Sequence, residues 1–64
     1  MLTKKESIIL KMAANGCTAK QMARNINVAE GTIRHHLGNI RSKLDAENTA
    51  HAVYLFYGQR DRAA

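Results

Sequence analysis

Apolar residues recur along this chain at helical rather than alternating spacing, and no proline interrupts them, which is the pattern of an all-α domain. Thr3-Lys4-Lys5-Glu6 has the form of a capping box, with Leu2 before it as a hydrophobic staple. Ile8, Ile9, Met12 and Ala13 then make a one-sided stripe, and Gly16 after Asn15 supplies a left-handed stop. A first helix is predicted over residues 4–15. Thr18-Ala19-Lys20-Gln21 repeats the capping logic, and Met22, Ala23 and Ile26 form the inner face of a short second helix over 19–25. In Ile26-Asn27-Val28, Asn27 can take positive φ and reverse the chain while both apolar neighbours point inward.

The third helix, over 30–44, has the clearest signal. Ile33, Leu37, Ile40 and Leu44 are spaced at 4, 3 and 4, a core stripe sustained over about three turns. Asp45-Ala46-Glu47 ends it, and Asn48 caps a fourth helix that runs through Ala50, Val53, Tyr54 and Tyr57 to Gly58, within 48–58. Residues 59–64 read as a frayed C-terminal tail to a single domain over 1–58. In the fourth helix Val53 must face the core with Phe56 sharing it, whereas Ala50, Tyr54 and Tyr57 form a second apolar stripe.

A 100° step per residue, with the core stripe of the third helix turned inward, puts Gly31, His35, Gly38, Asn39 and Ser42 on the outer face. Arg34 and Arg41 lie along one edge, and Thr32, His36 and Lys43 along the other. Glu30, at the start of the helix, is its one acid and suits the helix dipole there. A polar face with small residues, edged by cations on both sides, suits a helix pressed into a DNA groove, where Arg41 and Asn39 would meet phosphates. A short helix, a three-residue turn and a longer basic helix form the helix-turn-helix plan, whose second helix reads base edges in the major groove.

Composition agrees. Sixty-four residues carry a net charge of +5, from ten Lys or Arg against five Asp or Glu, a balance that points to a polyanion such as double-stranded DNA. One cysteine, Cys17, cannot form an intrachain disulfide. It fits a reducing cytoplasm and reads as a small filler between helices. No run of about 20 apolar residues and no basic-then-apolar leader is present, so neither a membrane span nor a signal peptide is expected and the expected location is cytoplasmic. His35, His36 and His51 raise the question of a metal or a general base. Adjacent histidines on a helix point about 100° apart, however. There is no H-x-x-x-H pair and no glycine-rich phosphate loop. No enzyme, cofactor or metal site is expected.

In order and spacing these residues resemble the LuxR-type (GerE-like) helix-turn-helix family of bacterial transcription regulators, from Leu2 to Val53. The opening L-T-x-R-E-x-x-x-L is matched by Leu2, Thr3, Glu6 and Leu10, the A-x-G-x-[ST] step by Ala14, Gly16 and Thr18, and the I-A pair by Met22 and Ala23. T-V-K-x-H-x-x-N-I-x-x-K-L is matched by Thr32, Ile33, Arg34, His36, Asn39, Ile40, Lys43 and Leu44, and the closing A-V by Ala52-Val53. The resemblance implies that Arg34 and His35 face base edges. It implies that Thr18, Lys20, Thr32 and Lys43 meet the phosphate backbone, and that His36 is partly structural.

Three positions depart from the family pattern. Lys5 replaces Arg. Ala29 replaces the Ser or Thr N-cap, a change worth about 1 kcal/mol of helix stability. Gly38 stands at a base-reading position where relatives place a cation or amide. Relatives pair through the fourth helix, which makes a homodimer on DNA through Ala50, Tyr54 and Tyr57 the expectation. They also carry an N-terminal receiver or small-ligand domain, so this chain reads either as a stand-alone regulator or as the C-terminal domain of a longer one. The resemblance leaves room for RNA polymerase as a second partner. The alternative is a protein-interaction module that, like an anti-activator, sequesters a related regulator.

Overall fold

The computed structural model describes residues 1–58, and the expected tail at 59–64 lies outside them. Helices α1 (Lys4–Ala14), α2 (Ala19–Ile26), α3 (Glu30–Leu44) and α4 (Thr49–Tyr57) follow one another, with no strand among the described residues. Each end lies within one residue of the expected boundary. The caps explain this accuracy. Thr3 Oγ1 accepts from the Glu6 backbone N–H at 3.1 Å while Glu6 Oε1 accepts from that of Thr3 at 2.9 Å. Thr18 and Gln21 repeat the exchange at 3.1 and 2.8 Å. Asn48 Oδ1 takes the His51 N–H at 2.8 Å. Ala29 makes no side-chain cap for α3, as its side chain requires.

Three chain reversals use one left-handed residue each, at Gly16 (φ 88°), Asn27 (φ 58°) and Asp45 (φ 56°). At each, the following N–H closes back on a carbonyl five residues earlier: Cys17 to Met12 at 3.0 Å, Val28 to Ala23 at 3.0 Å and Ala46 to Arg41 at 2.8 Å. This is the Schellman way of satisfying the last carbonyls of a helix. The closure after α2 leaves Asn27, Val28 and Ala29 as the whole connection to α3.

The core is Ile9, Leu10, Met22, Ala23, Ile33, Leu37, Ile40 and Ala52. Helix α3 lies at its centre and packs on each of the other three, while α1 also packs on α4. The four fully buried side chains Ile9, Leu10, Ile33 and Ile40 each contribute about 1.5–3 kcal/mol of burial. Cys17 is half-buried and packs against this cluster.

Two details of the expected core are corrected. Ile8 is 45 % exposed, and Glu6, Ile9 and Leu10 are the buried positions of α1. Because α1 must face α3 and α4 together, positions 6, 9, 10 and 13 turn inward, and Ile8 falls off that arc. In α4, Ala52 is the buried position, Val53 and Tyr57 pack on the core's edge, and Phe56, expected to share the core, is 39 % exposed. Phe56 sits at the open end of the bundle, where Met1, Leu2 and Leu44 line the space beside it. It packs edge-to-face on Tyr57, with ring centroids 4.9 Å apart.

Candidate nucleic-acid interface

With Ile33, Leu37 and Ile40 buried, α3 presents its opposite side to solvent. Gly31, Thr32, Arg34, His35, Asn39 and Ser42 are exposed there, and Gly38 and Arg41 are half-buried. These are positions that the helical wheel put on the outer face or, for Thr32, Arg34 and Arg41, along its edges. His36 lies half-buried at the border, its Nδ1 buried without a hydrogen-bond partner and its ring 6.3 Å from that of His35.

The glycines on this face are informative because the fold asks for neither. A Cβ at Gly31 would meet nothing within 4 Å, and one at Gly38 would meet Arg41 Nη2 alone, at an ordinary 3.9 Å. A glycine inside a helix destabilises it by roughly 0.5–1 kcal/mol relative to alanine. Gly38, in the interior of α3, therefore weakens the helix, and both glycines leave its outer face without a side chain at their positions.

Thr18 and Lys20, at the start of α2, are exposed. The Thr18 hydroxyl accepts from Gln21, which leaves its own proton to donate. Arg24 follows Lys20 by one helical turn and is exposed as well. Sequence reasoning passed over Arg24, although its i,i+4 spacing from Lys20 was the available signal.

Lys43 is differently placed. Its Nζ donates to Glu6 Oε1 at 2.8 Å, and the Glu6 side chain is 5 % exposed against 37 % for that of Lys43. Glu6 thus serves the α1 cap and anchors the end of α3 together. The Lys43 ammonium, followed by the Thr3 N–H, holds the Glu6 carboxyl below its usual range, against a smaller opposing effect of desolvation. The charge Lys43 could offer a phosphate is therefore shared with a buried carboxylate. Arg34 also has an acidic neighbour, Glu30, whose Oε2 accepts from Arg34 Nη2 one turn away on α3.

On α4, Ala50 is exposed and Tyr54 is 45 % exposed, whereas Tyr57 is half-buried against the core. The Tyr54 ring lies over Gly58, where a Cβ would come within 2.6 Å of Tyr54 Cδ1. Gly58 has α-helical φ and ψ of −59° and −34°, so what it supplies is room for this ring. Among the described residues, no three of His, Cys, Asp and Glu gather in a way that would hold a metal ion. No described helix is long and apolar enough to cross a membrane.

A short capped helix, a three-residue turn and a longer helix with a flat, cation-edged outer face define a helix-turn-helix domain. Its lineage is equally plain: residues 1–56 match the family described as bacterial regulatory proteins, luxR family (GerE), and the chain belongs to that family. It is 35 % identical over 60 residues to the nitrate/nitrite response regulator protein NarP of Escherichia coli, covering 94 % of this chain and 28 % of that protein. It is 32 % identical over 53 residues to the transcriptional activator protein CarR of Pectobacterium carotovorum, covering 83 % of this chain and 22 % of that one. Among solved structures, the response regulator ChrA of a heme-sensing two-component system superposes with a TM-score of 0.87 at 32 % identity, over 94 % of this chain and 30 % of that one. The chain therefore spans less than a third of the length of each of these relatives, which are regulators by their names.

Proposed function

We propose that this domain binds double-stranded DNA sequence-specifically as a transcription regulator, with α3 in the major groove. The outer face of α3 supports this most: Gly31 and Gly38 leave it bare where packing would admit a side chain, and Arg34 and His35 stand exposed between them. Arg34 and His35 read base edges, and Gly38 lets the helix axis approach them. Thr18, Lys20, Thr32, Asn39 and Arg41 meet phosphates, joined by Arg24, while Lys43 contributes with what its bond to Glu6 leaves free. The domain pairs on DNA through the Ala50 and Tyr54 side of α4, because one module of this size makes few contacts for tight binding. It works in the cytoplasm, takes no cofactor and catalyses no reaction. A regulatory domain on the same polypeptide and RNA polymerase are its further partners.

Selection of preferred duplexes from a random pool tests this. Recovery of a short motif, repeated with two-fold symmetry about one helical turn apart, is the expected result. Failure to retain any duplex at low salt, together with capture of a related regulator, would establish the protein-interaction module instead.

A further inference from the structure

Glu30 suits the helix dipole at the start of α3, yet it also lies one turn before Arg34 on the face offered to DNA. A carboxylate on a face that meets phosphates is repelled by them, and an exposed pair of this spacing adds little to helix stability. Glu30 nevertheless stands in the first turn of α3, its side chain 39 % exposed, and accepts from Arg34 Nη2, whose own side chain is 64 % exposed.

The surroundings of Arg34 show what this contact can do. On a helix a side chain meets its neighbours three and four residues away. For Arg34 these are Glu30, Gly31, Leu37 and Gly38. Leu37 is buried in the core, and the two glycines have no side chain. Glu30 is therefore the one neighbour on α3 able to orient the guanidinium. The guanidinium is a planar fork of five N–H donors. Glu30 engages one amino group, leaving enough donors for the two bonds that read O6 and N7 of a guanine.

We infer that Glu30 is a positioning residue that sets the base preference of Arg34, holding its guanidinium toward one guanine edge instead of the nearest phosphate. This rests on the DNA-binding function proposed above. Without Glu30, Arg34 would remain a cation on a bare stretch of helix and would follow the phosphate field, adding affinity for any sequence at the expense of discrimination.

The test compares wild type, Glu30→Gln, Arg34→Ala and the double variant. Each is titrated on the duplex selected by the wild type, on its single-base-pair substitutions and on random duplex, with helicity checked by circular dichroism. Glu30→Gln should bind random duplex at least as tightly as wild type. Its discrimination should fall by about fivefold or more at the base pair where Arg34→Ala also loses it. In the Arg34→Ala background, Glu30→Gln should change discrimination nowhere. Unchanged discrimination in Glu30→Gln would make the pair an ordinary surface contact and overturn the inference. A loss at a different base pair, or one that persists without Arg34, would mean that Glu30 reads a base itself, and would overturn it too. A wild-type chain that selects no duplex would instead remove the DNA-binding function, and is seen before any variant is compared.

Discussion

Lys43 Nζ lies 2.8 Å from Glu6 Oε1 and ties the last turn of α3 to the first turn of α1 across 37 residues of sequence. The pair contributes to the pH dependence of the fold on the acid side. Glu6 has a lowered pKa in the folded chain relative to its ordinary value of 4.5, so the unfolded chain takes up its proton first as the pH falls. The stabilisation is complete above the ordinary glutamate range and is lost as the pH falls through the folded-state value. Chemical denaturation from pH 7 downward should show stability declining below about pH 4.5, with the decline reduced in Glu6→Gln. An equal decline in both would assign acid sensitivity elsewhere.

Lys43 and Lys20 should consequently behave differently. Lys20→Gln should flatten the slope of log K against log salt by about one unit with little effect on stability. Lys43→Gln leaves a buried carboxylate unpaired, so its main effect should be a lowered thermal midpoint, with a smaller change in salt slope. A full-unit change in slope for Lys43→Gln at unchanged stability would make it a plain phosphate contact.

Gly38 separates fold from function. Gly38→Ala should stabilise the domain by roughly 0.5–1 kcal/mol, since the added Cβ meets Arg41 Nη2 alone, at 3.9 Å. At this size that is a rise of about 2–8 °C in thermal midpoint. The same variant should bind the selected duplex more weakly, because the methyl group fills space needed for close approach. Gains in both stability and affinity would show that the groove does not press on this position.

How much of this was legible in the sequence follows from where each interaction is stored. The capping boxes at Thr3 and Thr18, the Asn48 cap and the reversals at Gly16 and Asn27 are local, and so their residues announce them. The rotation of α3 was equally plain, since Ile33, Leu37 and Ile40 stand apart among polar neighbours. The rotations of α1 and α4 were not. Both carry apolar residues on nearly every side, at 8, 9, 10, 12 and 13 and at 52 to 57, so periodicity could not decide between Ile8 and Leu10, or between Phe56 and Tyr57. Glu6 reads locally as a capping acid, and nothing near it in sequence announces that α3 will cover it with Lys43.

Pairing through α4 is best tested at two exposed positions outside the hydrophobic core. Tyr57 packs on the core, so a charge there would disturb folding as well as association. Ala50 and Tyr54 lie one turn apart and are both exposed. Ala50→Glu with Tyr54→Glu should abolish the doubly bound species on a duplex with two half-sites while single-site binding persists. Cooperative binding that survives both charges would exclude this surface.

The central claim, that the outer face of α3 reads bases, is tested most directly by titrating Arg34→Ala on the selected duplex and on its single-base-pair substitutions. The variant should lose about 1–3 kcal/mol on the preferred duplex and become indifferent to substitution at one base pair, keeping its preferences elsewhere. An equal loss on every sequence would make Arg34 a phosphate contact, and an undiminished affinity would place the DNA on another surface.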